Sequence, residues 1–160
     1  MYSKALFFVG IVIVSCLLGC NTSTKTQQMQ VENRVLIHAG NLTRITGMQW
    51  ILQKMTVEGQ DCPLTGEKPY IKFEPDGKVS GFGSINRYFG SVQMGGEGNL
   101  KWSPLGSTKM AGPDELMKQE DMYLKALPLT EQMSVEGIHL YLSTKDEQIE
   151  LIFFCACEMR

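Results

Sequence analysis

The side chains able to do chemistry in this chain are few and unevenly spaced. Three cysteines fall in its body, Cys62, Cys155 and Cys157, together with two histidines, His38 and His139. In "IELIFFCACEMR" the two-residue period of a strand puts Cys155 and Cys157 on one side, so either can meet Cys62 if that strand end lies near its loop. In an oxidising compartment the expected use is one disulfide, Cys62 with Cys155 or Cys157, leaving one thiol over; three free thiols are the other reading. A zinc site is the weaker alternative. Closed sites take four Cys/His ligands, commonly with Cys-x-x-Cys spacing, and His38 and His139 join no such pattern. No metal and no cofactor is therefore expected. His139, in the alternating "IHLYLS", reads as the outer face of a strand, and His38 as an exposed residue.

Acid–base chemistry has three candidates, Glu115, Glu120 and Asp121. A general acid or base needs a carboxylate of shifted pKa beside a substrate. These three share one helical segment, where a solvated polar face accounts for them, although Glu120 borders the apolar side. The most specialised stretch is "VSGFGSINRYFGSV", Val79 to Val92, with three glycines, three aromatics and an Asn-Arg pair. It lacks the Gly-Lys-Ser/Thr ending of a phosphate loop and the strand-to-helix setting of a dinucleotide site. Gly83-Ser84-Ile85-Asn86 also breaks the Gly-x-Ser-x-Gly pattern of a nucleophile elbow. What remains is a corner between two strands. Gly81, Gly83 and Gly90 allow positive φ or close backbone approach, and Asn86 can bond to neighbouring backbone.

The elements that would position these residues are mostly short strands. "MQWILQKMTV" ends at Glu58-Gly59, and "YIKFE" and "KVSGF" flank Pro75-Asp76-Gly77, a hairpin turn in which proline presets φ. "GSVQM", "NLKWSPL", "IHLYLST" and "QIELIFF" follow at hairpin spacing, which points to an antiparallel sandwich or barrel. One segment departs from this pattern: "GPDELMKQEDMYLKALPLTEQ". Pro113 suits the first helical position, Asp114 and Glu115 suit the positive end of the dipole, and Pro128 stops the helix. Leu116, Met117, Tyr123, Leu124 and Leu127 form its expected core face. The helix should cap or plug the sheet.

The N-terminus speaks to location. Lys4 precedes an uncharged apolar run from Ala5 to Leu18, too short for the roughly 20 residues of a membrane span and suited to a secretory signal. Leu17-Leu18-Gly19-Cys20 resembles the lipobox of bacterial lipoproteins, which makes Cys20 the expected acylated N-terminus and residues 1–19 the signal peptide. Asn21, rather than Asp, resembles the outer-membrane sorting pattern of enteric bacteria. Residues 20–45 are assigned as the lipidated cysteine and a flexible tether, since "NTSTKTQQMQVENR" is too polar to bury itself, and residues 46–160 as one domain. Losing Lys4 from a chain with 15 Lys/Arg and 17 Asp/Glu leaves a net charge of −3. That charge offers no footprint for nucleic acid.

Several motifs in fixed order resemble the META domain of HslJ-like bacterial envelope proteins over about residues 46 to 154: Trp50-Ile51-Leu52, Phe73-x-Pro-Asp-Gly77, Val79-Ser80-Gly81, Asn86-Arg87-Tyr88-Phe89-Gly90-Ser91 and Ser107-Thr108-Lys109-Met110-Ala111-Gly112. The resemblance implies a small, mainly antiparallel β-barrel-like domain with one helix packed on the sheet. It marks Gly81, Asn86, Arg87, Gly90, Thr108 and Met110 as family-motif residues. The family often carries Gly-Cys-Asn and Met-Ala-Cys where this chain has Ser84-Ile85-Asn86 and Met110-Ala111-Gly112, so both cysteines of that pair are missing together. The function it implies is non-enzymatic: an anchored, periplasm-facing lipoprotein contributing to envelope or heat stress tolerance and drug resistance through an unknown envelope protein. A second expectation is an anchored inhibitor of an envelope enzyme such as lysozyme, for which "QMGGEGNLKW" is the candidate inserting loop.

Overall fold

Along "HLYLS" and "IELIFFC" the residues Leu140, Leu142, Leu151 and Phe153 are fully buried while those between them are half-exposed, as a sheet with one face on a core requires. The computed structural model describes residues 33–156. Its strands are β1 (Val35–Leu36), β2 (Gln49–Val57), β3 (Gln60–Cys62), β4 (Tyr70–Phe73), β5 (Lys78–Phe82), β6 (Arg87–Met94), β7 (Leu100–Trp102), β8 (Gly106–Ser107), β9 (Gln132–Glu136), β10 (His139–Ser143) and β11 (Ile149–Cys155). They form one antiparallel sheet in the order β1-β9-β10-β11-β2-β4-β5-β6-β7, with β3 also on β2 and β8 also on β6. The sheet curls into a half-barrel. Its far strand β7 comes round to β9, where Asn99 bridges Gln132 and the Leu100 N–H donates to the Glu131 carbonyl at 2.8 Å.

Residues 33–45, expected as tether, belong to the folded unit. Val35 and Leu36 pair with Val135 and Ser134, and Ile37 and Ile45 are fully buried. Between them a 3-10 turn (Ala39–Arg44) is capped by His38, whose Nδ1 accepts from the Gly40 N–H at 3.1 Å. Two buried isoleucines suffice to order a segment whose other residues look polar. The Ile45 carbonyl also accepts from the buried Trp50 Nε1 at 2.9 Å. The signal peptide 1–19 and Cys20 lie outside the described residues.

The helix α1 (Asp114–Ala126) follows Pro113, with Asp114 and Glu115 in its first turn and Lys125 in its last, each on the favourable side of the dipole. It closes the concave side of the sheet. The Tyr123 ring meets Tyr88 and Phe153 edge-on, with centroids 5.8 and 6.4 Å apart. Tyr88 Oη lies 3.2 Å from the Tyr70 carbonyl and 2.7 Å from Tyr123 Oη. A carbonyl only accepts, so Tyr88 donates to Tyr70 and receives the Tyr123 proton.

Burial pushes both phenols up, Tyr88 well above the ordinary tyrosine range with further help from Tyr123 beside it. A folded-state pKa raised above the unfolded value gives stability that is complete below about pH 10 and lost as pH climbs beyond it. The thermal midpoint is therefore expected to hold from neutral pH to about 10 and then to fall. A Tyr88→Phe/Tyr123→Phe chain should start lower but decline less between pH 9 and 11; an equal decline would show that these phenols do not set the alkaline limit.

Candidate functional site

The turn between β5 and β6 runs through Gly83, Ser84, Ile85 and Asn86, and its backbone leaves two adjacent N–H groups inside the protein. Glu120 of α1 answers them. Its Oε2 accepts from Ile85 N–H at 3.0 Å and Asn86 N–H at 2.6 Å, and its Oε1 accepts from Asn86 Nδ2 at 2.7 Å. The expectation of a solvated Glu120 is thus overturned: it is 6% exposed, held inward because a buried pair of N–H donors needs an acceptor. Gln119 works beside it. Its amide exchanges hydrogen bonds with the backbone of Thr65 at 2.7 and 3.2 Å and donates to Ser84 Oγ at 2.7 Å.

Asn86 is the centre of the node. Its Oδ1 accepts from Thr108 Oγ1 at 2.8 Å and Met110 N–H at 2.7 Å, while Nδ2 donates to the Met110 carbonyl at 3.1 Å as well as to Glu120. Both donors and both acceptor sites of the amide are used. The structure therefore brings Asn86, Thr108 and Met110 together and adds Glu120, Gln119 and Ser84. The spacing of Leu116, Gln119, Glu120, Tyr123, Ala126 and Leu127 is that of one helix face, so periodicity read without regard to polarity points to them. Met117, expected in the core, is instead exposed.

The remaining motif residues lie around this node. Arg87 is exposed, and its backbone is engaged there: its N–H donates to Thr108 Oγ1 at 3.2 Å and its carbonyl accepts from the Thr108 N–H at 3.0 Å. Gly81 and Gly90 are neither at positive φ; close approach fixes them. A Cβ on Gly81 would run into the Tyr70 carbonyl and lie 2.6 Å from the Tyr88 ring, and one on Gly90 would lie 2.6 Å from Leu105 Cδ2. The strained position is Ser84, at φ 119°. Such backbone in a non-glycine residue persists where its surroundings over-determine it, and here Gln119 does so. Ile85 packs against Gly112, with its Cδ1 2.5 Å from where a Gly112 Cβ would stand.

Over the node runs an open groove of about 500 Å³ lined by Asn86, Thr108, Lys109, Met110, Met117 and Leu124. Its polar floor is already paired, its walls are methionine and leucine, and at its rim Lys125 holds Asp121 at 2.7 Å. Among the described residues the other constellations do not assemble. Cys62 is a free thiol, which corrects the expected bridge to Cys155 or Cys157. Cys62 sits opposite Met55 on one edge of β2, and Cys155 opposite Trp50 on the other. Five residues of strand separate the two levels, roughly 17 Å, against a Cα separation of about 7 Å at most for a disulfide. Cys155 is itself disulfide-bonded, whereas Cys157 lies outside the described residues. The loop within "QMGGEGNLKW" is crossed by the Gly95–Asn99 backbone bond and held to the end of β9 by the Leu100–Glu131 bond.

Comparison with known proteins gives a family and a fold. A model described as META domain matches residues 41–155. An NMR structure of a protein from Burkholderia xenovorans aligns with a TM-score of 0.61 at 22% identity, covering 74% of this chain and 88% of that one. A second NMR structure aligns at 0.54 and 21%, covering 74% and 97%. A crystal structure of a DUF4847 family protein from Bacteroides vulgatus aligns at 0.50 and 14%, covering 71% and 95%. No curated protein matches the chain.

Proposed function

Because the chain belongs to the META domain family, whose model spans residues 41–155, we propose that it is a membrane-anchored, periplasm-facing binding module and not an enzyme, contributing to envelope or heat stress tolerance and drug resistance through a protein partner in the envelope. The observation that carries the non-enzymatic reading is the saturated node. Asn86 spends every polar atom inside the protein, and the Glu120 carboxylate holds the β5–β6 turn. Three donors from the fold take three of the roughly four lone-pair positions of this carboxylate, which favours a structural part for it over that of a general base.

The anchor follows from Leu17-Leu18-Gly19-Cys20 and the apolar run before it, with acyl chains on Cys20 contributing roughly 0.8 kcal/mol per buried methylene. Asn21 favours the outer membrane. Replacing Cys20 with serine is expected to abolish acylation and lipoprotein-type cleavage and to move the protein out of the detergent phase. Processing and partition like the parent would remove the anchor from the proposal. The partner is sought by crosslinking in intact envelopes, with a second META-domain lipoprotein as control. A specific envelope protein that is recovered with this chain and lost with a groove variant such as Met110→Glu is the expected result, and recovery equal to the control refutes a dedicated partner.

A further inference from the structure

We propose that the convex outer face of the sheet is a lipid-contact surface that rests on an anionic membrane. Strand registers place outward residues in one cross-strand row: Phe154 stands opposite Ile51, Ile51 opposite Tyr70, Tyr70 opposite Phe82, and Phe82 opposite Arg87. The first four are half-buried by one another and present their remaining surface away from the core. Tyr70 and Phe82 stack with centroids 6.0 Å apart and planes 23° apart. Beside the row Phe89 is 64% exposed. α1 fills the opposite, concave side, where Tyr123 meets Phe153 and Tyr88.

Charge and connectivity select the occupant. Lys72, 5.8 Å from the Tyr70 ring centroid, and Arg87 at the row's end are exposed, and none of the ion pairs among the described residues uses either. Aromatic and aliphatic side chains bordered by unpaired cations match the boundary between acyl chains and anionic headgroups. These cations act locally, since the chain as a whole is slightly acidic. The second selector is where the chain enters the fold. The Arg34 guanidinium lies 3.6 Å above the Tyr141 ring and 3.6 Å from Glu150, both outward residues of this same face. The described residues thus begin with a guanidinium held on this face, and a fully extended stretch from Cys20 to Arg34 would span at most roughly 50 Å. A bilayer holding Cys20 is within reach of the row. Delivery to the membrane rests on the anchor proposed above, whereas the affinity of the face does not.

The surface is tested without the anchor, in the chain from residue 20 onward carrying Cys20→Ser, by co-sedimentation with vesicles of equal parts phosphatidylglycerol and phosphatidylethanolamine. Partition is expected to fall with added salt and to drop about fivefold for each of Lys72→Gln and Arg87→Gln. Both positions are exposed, so the thermal midpoint should stay put. A Phe89→Trp reporter should shift its emission to the blue on these vesicles and not on phosphatidylcholine alone. Absent partition, partition indifferent to both cations, capture by peptidoglycan sacculi in place of vesicles, or a dimer that buries the row would each overturn the inference. The two proposals fail separately: acylation of the native chain with no vesicle binding by the serine chain leaves the anchor standing and removes the surface, and the converse result removes the anchor alone.

Discussion

Asn86→Ala is expected to cost about 3 to 5 kcal/mol of folding stability, a large part of the roughly 5 to 15 available to a domain of this size. The alanine strips the Met110 N–H and carbonyl, the Thr108 hydroxyl and one Glu120 oxygen of their partner at once. Thr108 and Met110 are exposed residues, so water answers part of the loss there, whereas the Glu120 oxygen is buried and stays unanswered. Asn86→Asp should be no milder, because it keeps the shape but removes both Nδ2 donors and sets a second carboxylate against Glu120. Thr108→Val, which removes one bond to the amide, should cost only about 1 kcal/mol. Urea unfolding of the three variants orders them. An Asn86→Ala domain within 1 kcal/mol of the parent would mean that the node does not hold the corner.

The second large effect belongs to Gly81→Ala. Ile71 and Gly81 are ladder partners in β4 and β5, and an added methyl would collide with the Tyr70 carbonyl and with Tyr88 Cε1 and Cζ at 2.6 Å. The carbonyl is part of the β4 backbone, which is paired on both sides, and cannot step aside. If the Tyr88 ring moves instead, it gives up its bonds to Tyr70 and Tyr123 in the centre of the core. Overpacking of this kind costs about 1 to 3 kcal/mol, and the rigid backbone on one side puts Gly81→Ala at or above the upper end. Gly90→Ala is the internal control: its methyl meets the end of the Leu105 side chain, which can rotate, so about 1 kcal/mol is expected. Equal losses at the two positions, measured by thermal or urea unfolding, would discard the distinction between backbone and side-chain obstruction.

These two residues also mark what can be read before folding. The hairpin at Pro75-Asp76-Gly77 was legible because its chemistry is local: Gly77 takes φ 81° and the Lys78 N–H donates to Asp76 Oδ1 at 3.1 Å. The limits of α1 were legible for the same reason, through the prolines at 113 and 128. The strand β9 was not: Gln132 to Glu136 alternate polar and apolar residues, but five residues following closely on a helix give that period too little length to stand out. β1 and the turn after it depend on contacts with β9 and the core that no local signal announces. At the site, Asn86, Thr108 and Met110 stand in recognisable motifs, but Glu120 looks like any surface carboxylate until the β5–β6 turn presents its two N–H groups. Its burial is decided by a segment more than thirty residues away.

The contact between Ile85 and Gly112 constrains the order in which this corner can change over evolutionary time. With Ile85 Cδ1 2.5 Å from the site of a Cβ at position 112, a side chain gained there obliges the isoleucine to turn aside, an overpacking cost of about 1 to 3 kcal/mol. Trimming residue 85 first leaves only a small void, which a core tolerates at about 1 kcal/mol or little more. The easier passage to an arrangement with a side chain at 112 therefore runs through a small residue at 85 beside glycine at 112. The opposite order is the costlier one, so the two positions are coupled through packing even though neither forms a covalent bond to the other.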